Sequence, residues 1–318
     1  MKTVIGKDIL KAAELLKEDS VVAIPTETVY GLAANALSET AVVKIFEAKD
    51  RPFFDPLIVH IKPSDDPAKY ASYIPDVAKK LMKRFWPGPL TLVLPKNDII
   101  PAIVTAGQDT VGLRMPSQPI AQHLLETLNF PLAAPSANPF GYISPTTAQH
   151  VFDQLQGKIP YILDGGPCTV GVESTIIGFE GDEPVVYRLG GTPIEKIEGV
   201  TGKIRFLINQ SSNPSAPGQL KSHYAPGKRV LRGDIAELID RYPNNKIAII
   251  SFQKEWIGPN LLQNWILSKS GNLEEAAINL FKALREADQS EADMIIAEIF
   301  PEEGLGRAIN DRLNRASS

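Results

Sequence analysis

Apolar positions along the chain fall into two kinds of run. From Val21 to about Leu207, short runs of strand-forming residues alternate with runs whose apolar positions recur at helical spacing. The first kind predicts strands at 21–24, 57–61, 90–94, 110–115, 131–134, 160–163, 173–179 and 184–189. The second predicts helices near 8–18, 39–48, 74–85, 117–127 and 146–156. Such alternation implies an α/β domain with a mixed, twisted sheet. A stretch rich in Ser, Asn, Pro and Gly at 209–227 follows neither period and reads as a linker. The pattern restarts at Arg229, where VLRG, KIAIISF, NWILS and DMIIAEIF read as strands, with helices near 233–241, 272–287 and 304–315. These predict a small Rossmann-like α/β domain. No Gly-x-Gly-x-x-Gly follows its first strand, so dinucleotide binding is not supported. Asn272 is expected to cap the long helix, with Glu275 completing a capping box. The expected division is therefore 1–206, a linker over 207–228, and 229–318.

Composition narrows the class. With 318 residues the chain has room for two domains and more than one core. A net charge of −4 supplies no overall basic field, which disfavours tight binding of bulk RNA while leaving room for a local basic cavity. Cys168 is the single cysteine, so an intrachain disulfide and a Cys-rich metal site are both ruled out, and its thiol in GGPCTVG reads as packing. The N-terminal stretch carries Ile9, Ala12, Ala13 and Leu16 on an amphipathic helix, without a signal-peptide core. No run of ~18 apolar residues is present, so no membrane span and a cytoplasmic protein are expected.

The candidate chemistry gathers in residues 24–60. Strand 21–24 runs straight into Pro25-Thr26-Glu27-Thr28-Val29-Tyr30-Gly31. A helical run with Ala41, Ile45 and Ala48 on one stripe follows, and Pro52 requires it to end by Asp50. Lys49 and Arg51 come at that end; in extended chain, residues two apart point to one side, so both cations can face one polyanion cavity. The plainer reading is a solvated helix terminus favoured by its dipole. His60 lies near the end of the next strand. In Thr110–Met115, Val111, Leu113 and Met115 take the core face and leave Thr110, Gly112 and Arg114 on the other. Ser136 and Asn138 stand in a stiff, proline-flanked loop, and Ser144 sits at or before the start of helix 146–156. A hairpin with its turn at Glu180–Glu183 follows Ser174. On its return strand Val185, Tyr187 and Leu189 share one face, Val186 and Arg188 the other. Tyr224, in the linker sequence HYAP, is bulky for a passive spacer.

PTETVYGLAANA, KDRP, PLIVH, VGLRMP, the Ser-Ala-Asn-Pro loop and PGQLKSHYAP resemble, over nearly the whole chain, the YrdC-like threonylcarbamoyl-AMP synthase family in its long two-domain form. The resemblance implies an enzyme, a nucleotidyltransferase, that joins L-threonine, bicarbonate and ATP into threonylcarbamoyl-adenylate and pyrophosphate. The product would serve tRNA threonylcarbamoyladenosine formation through a downstream transferase complex. By the same resemblance Lys49 and Arg51 are catalytic. L-threonine is assigned to Thr26, Tyr30, His60, Arg114, Ala134 and Ser174. ATP is assigned to Lys49, Arg51, Asp55, Thr110, Ser136, Asn138, Ser144, Arg188 and Tyr224, the last as a lid. Magnesium is expected with ATP, and no organic cofactor, membrane or strong nucleic-acid contact. Asp50 and Asp55 stand where the family frequently has glycine and asparagine, and Ala33 replaces a usual glycine; Asp55 puts a carboxylate near phosphates. Two other readings remain: an RNA- or nucleotide-binding module without turnover, and a carbamoyl-phosphate-using transferase domain. The latter lacks its accessory acylphosphatase and zinc-finger segments here.

Overall fold

The computed structural model describes residues 1–208 and 224–317. The N-terminal part runs β1 (Val4–Gly6), α1 (Ile9–Lys17), β2 (Val22–Ile24), β3 (Gly31–Asn35), α2 (Glu39–Lys49), β4 (Ile58–His60), α3 (Asp76–Phe85), β5 (Leu90–Pro95) and β6 (Thr110–Arg114). It continues with α4 (Pro119–Glu126), β7 (Leu132–Ala133), α5 (Ala148–Leu155), β8 (Tyr161–Leu163), β9 (Thr175–Glu180), β10 (Glu183–Arg188), α6 (Ile194–Thr201) and β11 (Arg205–Phe206). Among the described residues these strands form one mixed sheet in the order β1-β8-β2-β3-β7-β4-β6-β5-β9-β10-β11.

Side chains alternate between the two faces of this sheet, and each face meets a different core. Ala23, Leu32, Val59, Leu92, Leu113 and Ile177 join the larger apolar cluster, which takes in α2, α3, α5 and α6. Val22, Ile24, Ala33 and Leu132 point the opposite way, into a smaller cluster closed by α1 and α4. Each fully buried leucine or isoleucine contributes about 1.5–3 kcal/mol relative to exposure. Beyond α4, on β4, β6, β5, β9 and β10, that second face carries a small apolar patch of Ile58, Val93 and Ile176 with Tyr187. His60, Thr91, Thr110 and Arg114 stand on the same face.

The expected helices and strands are present, with four local differences. The sequence pattern missed β1, β3, α6 and β11. Helix α5 is capped by Thr147, whose hydroxyl accepts from the His150 N–H, and not by Ser144. Between Val186 and Arg188 the β9–β10 register slips by one residue, a bulge. Simple alternation therefore fails there: Val186 and Leu189 both face the larger core, and Tyr187 faces away from it. Lys49 is the last residue of α2 and Asp50 caps it in the left-handed region, φ 52° and ψ 38°, so the two cations are not joined by extended chain.

The C-terminal unit contains β12 (Arg229–Arg232), α7 (Ile235–Arg241), β13 (Ile247–Ser251), β14 (Leu261–Ile266), α8 (Leu273–Gln289), β15 (Met294–Ala297) and α9 (Gly306–Ala316). Its strands run parallel in the order β12-β15-β13-β14. β13 and β15 are buried along their whole length, as central parallel strands require. Asn272 caps α8 by accepting from the Glu274 and Glu275 N–H groups. The reciprocal half of the capping box is not formed: the Asn272 N–H donates to Ser268 Oγ, and the Glu275 carboxylate accepts from Ser268 and Ser270. This unit begins near Lys221 and takes in two short stretches from earlier in the chain, Gly141–Ile143 and Val170–Val172. Arg285 donates to the Ile143 carbonyl and Tyr142 to Asp288. Gly171, at φ +80°, lies where a Cβ would come within 2.3 Å of Ile278 Cα. Tyr224 is buried here, its ring 5.8 Å from Phe281 and 4.9 Å from the Arg312 guanidinium.

Candidate active site

Two loops frame the site. Because β2 and β3 pair antiparallel with Ile24 opposite Gly31, the segment Pro25–Tyr30 is a closed loop at one end of the sheet. Thr26 knots it: its hydroxyl donates to the Val29 carbonyl at 2.6 Å and accepts from the Thr28 and Val29 N–H groups. Alongside runs Ala134–Asn138, bonded through Leu32 N–H to Pro135 O and Ala137 N–H to Tyr30 O. Gly31 permits that approach, since a Cβ there would sit 3.2 Å from Ala134 Cβ. The Tyr30 hydroxyl donates to the Gly166 carbonyl at 2.8 Å and accepts from the Gly165 N–H, tying down the loop after β8. Burial pushes that phenol well above its ordinary range.

The cations converge from the end of α2. Asp50 closes a Schellman turn, with Arg51 N–H on the Phe46 carbonyl and Asp50 N–H on Glu47. Asp is among the few side chains that tolerate this conformation, which accounts for its standing where the family frequently has glycine. Lys49 is fully buried, and its ammonium donates to the backbone carbonyls of Ser136 and Asn138. Burial, and then the neighbouring Arg51, hold it well below the usual lysine range. Arg51 pairs with Asp55 at 2.9 Å and donates to the Pro56 carbonyl. Asp55 is pushed up by its burial and held back by Arg51, Lys49 and Arg188, in that order. The carboxylate expected to trouble a phosphate thus already has three cations around it.

The sheet brings in the rest by register. His60 pairs with Leu132 and Arg114, Arg114 with Thr91, Thr91 with Ile176, and Ile176 with Arg188. Residues so paired share a face, so His60, Arg114 and Thr91 project together. Arg188 donates to the Ser174 carbonyl and to Ser174 Oγ, which lies 2.7 Å from Thr91 Oγ1. The His60 imidazole is brought down to about 3 by burial and then by Arg114, so it is neutral at physiological pH. Ser144 Oγ donates to Glu173 at 2.5 Å. Thr110 begins the same face of β6 and lines a small recess with Ile58, Thr91 and Ile176. Among the described residues no cluster of three or more His, Cys, Asp or Glu side chains is placed to hold a metal ion.

The chain matches a family model described as telomere recombination over residues 14–190, and a second, the C-terminal domain of threonylcarbamoyl-AMP synthase, over 192–318. It is 45% identical to threonylcarbamoyl-AMP synthase of Pyrococcus abyssi, covering 96% of this chain and 93% of that one. The Bacillus subtilis protein of the same name is 44% identical over 97% and 92%. The chain belongs to the threonylcarbamoyl-AMP synthase family. Among solved structures, P. abyssi Sua5 complexed with L-threonine superposes with a TM-score of 0.91 at 43% identity, covering 99% of this chain and 97% of that one. The two-layered mixed sheet and the separate parallel sheet are therefore those of the family.

Of the fifteen residues that the motifs assign, the N-terminal unit carries fourteen, and Tyr224 lies in the C-terminal one, where it has core to join after all. Arg114, on the face opposite the core, is nonetheless buried and donates to Glu27 at 2.7 Å. Asn138 turns its amide onto the Pro139 carbonyl. Sequence reasoning passed over Glu27, Thr91, Asp164 and Glu173, each a partner of an assigned residue. Glu27 stood in plain sight inside PTETVYG, but its burial depends on Arg114, 87 positions away. The rest of the HYAP linker, through His223, lies outside the described residues.

Proposed function

We infer that this chain joins L-threonine, bicarbonate and ATP into threonylcarbamoyl-AMP, releasing pyrophosphate and water, and so acts as a nucleotidyltransferase. The observation that carries this reading is the single sheet row on which Arg114 and His60 stand beside Thr91 and Arg188, with Lys49 and Arg51 converging on the same Asp55. A guanidinium suits the amino acid's carboxylate, and a neutral imidazole beside it suits the side-chain hydroxyl. Lys49, Arg51 and Arg188 supply the positive charge that a triphosphate and its departing pyrophosphate require. Magnesium enters bound to the nucleotide, as part of the substrate.

Two steps follow. The threonine nitrogen takes up the carbon of bicarbonate or carbon dioxide to give a carbamate. A carbamate oxygen then attacks the α-phosphorus, and the bond to the β-phosphate oxygen breaks. Held in position by buried side chains, the reactants need no covalent enzyme intermediate. We assign Ser136, Asn138, Ser144 and Thr110 to the nucleotide, Thr26, Tyr30, Ala134 and Ser174 to the walls of the threonine pocket, and Tyr224 to the nucleotide on resemblance. We further expect the product to pass to a tRNA threonylcarbamoyl transferase, in the cytoplasm. Pyrophosphate release with ATP and bicarbonate, measured with and without L-threonine, tests the reading. Release that ignores threonine would contradict it.

A further inference from the structure

Carbamoylation has a proton problem. At neutral pH the amino acid arrives as an ammonium, and its nitrogen cannot attack carbon until one proton has left. We propose that Glu27 holds the α-ammonium of L-threonine and accepts that proton; this rests on the synthase reading above.

Geometry makes the case. Glu27 is 5% exposed, with Oε1 2.7 Å from the Arg114 guanidinium and Oε2 accepting the Ser117 N–H at 3.2 Å. A backbone bond therefore fixes the carboxylate independently of the arginine. Arg114 Nε is buried with no hydrogen-bond partner among the described residues, so the guanidinium keeps a donor for a second carboxylate. An amino acid carries opposite charges on adjacent atoms of one carbon. A carboxylate and a guanidinium side by side match both, whereas Arg114 alone would match only one. Glu27 itself lines a cavity of about 470 Å³, together with Thr26, Ser117, Gln118 and Gly165 among others, which has room for water to carry the proton away.

The neighbouring groups are poorer acceptors. His60, near Arg114, binds a proton only around pH 3. The Cys168 thiol, which faces both Glu27 and Arg114, is pushed up by burial and keeps its proton. So does Tyr30, whose hydroxyl is committed to the Gly166 carbonyl. Asp164 turns instead to the Tyr30 hydroxyl and the Gly166 N–H. Glu27 is the carboxylate that stands beside Arg114.

The step balances. One ammonium proton moves to Glu27, and the freed nitrogen lone pair forms the N–C bond to bicarbonate. The C–O bond to the bicarbonate hydroxyl breaks, and that hydroxide leaves as water with a second nitrogen proton. The products are the carbamate, water and one proton on Glu27.

Glu27→Gln keeps an oxygen for the Ser117 N–H and removes the base. Threonine-dependent pyrophosphate release should fall by about 100-fold at pH 7, within the range general bases supply, and recover nearly tenfold per unit toward pH 9 as free amine accumulates. A loss equal at every pH, or activity within threefold of the unmodified chain, overturns the proposal. Should the glutamine variant fail to fold, Glu27→Ala with added formate serves: rate rising with formate but not with acetamide supports the base, and no rescue by formate overturns it. Failure of the unmodified chain to release pyrophosphate would instead refute the synthase reading itself.

Discussion

The two units bury their strands in opposite ways. β13 and β15 of the C-terminal unit, Ile247–Ser251 and Met294–Ala297, are apolar almost throughout and buried on both faces. β4 of the N-terminal unit is as deeply buried and β6 is buried except at Thr110 and Gly112, yet one of their faces carries His60, Thr110 and Arg114. Burying an imidazole and a guanidinium costs several kcal/mol unless partners compensate. The N-terminal unit accepts that cost in a cluster on one sheet face. The C-terminal unit keeps its buried arginines off its strands, on α8 and α9, where Arg312 and Arg315 pair with Asp311. Buried charge alone does not mark a site. Buried charge converging on one row of a sheet face does.

Breaking the convergence at its centre should have the largest effect. Arg114→Ala removes the guanidinium and leaves Glu27 buried without its ion pair. We expect L-threonine affinity, measured by calorimetry, to fall at least 100-fold, on the order of 3 kcal/mol, with ATP binding largely kept. Equal weakening of both ligands would mean that Arg114 only holds the fold.

Next comes acid stability. His60 is lowered from 6.5 to about 3 on folding, with burial as the main cause. Between those values the unfolded chain binds a proton that the folded chain does not, so this contribution is complete above 6.5 and is lost as pH falls toward 3. Urea unfolding should show about 2 kcal/mol less stability at pH 5 than at pH 7 from this group. His60→Gln should flatten that slope. A variant as acid-sensitive as the parent would show that another group is responsible.

A smaller effect belongs to the cation pair. Lys49→Ala should slow pyrophosphate release about tenfold or more, each decade being about 1.4 kcal/mol. Arg51→Ala should do the same and also lower the melting temperature, because Asp55 loses its 2.9 Å partner in the interior. Unchanged turnover in both variants would remove these residues from the chemistry.

Much of this was legible beforehand, for reasons that can be named. β2, β4 and β6 announce themselves through β-branched runs, and the alternation in Thr110–Met115 put Arg114 on the correct face. β3 did not, because Gly31–Asn35 has no β-branched or aromatic residue and little strand propensity; its pairing with β2 is what makes Pro25–Tyr30 a loop at all. The bulge at Tyr187 was equally hidden, since alternation cannot report an inserted residue. Lys49 and Arg51 were paired through a geometry that the structure does not have. A left-handed turn at Asp50 stands where extended chain was expected. Glu27 needed the fold, because a glutamate between two threonines looks like solvent-facing loop until Arg114 arrives beside it.

The smallest expected effect tests the other side of the comparison. Tyr224 is 1% exposed, with Phe281 5.8 Å from its ring on one side and the Arg312 guanidinium 4.9 Å away on another. Both contacts are made by the ring, and phenylalanine offers the same ring. If the C-terminal unit uses this aromatic for packing, Tyr224→Phe should leave the melting temperature nearly unchanged and pyrophosphate release within threefold. Tyr224→Ala, which deletes the ring, serves as the control and should lower the melting temperature through the cavity it leaves. The informative outcome is a stable Tyr224→Phe protein whose turnover collapses. Its hydroxyl would then serve the nucleotide, as the family resemblance implies. The division between a unit whose buried polar groups do chemistry and one whose buried polar groups only pack would no longer hold at this residue.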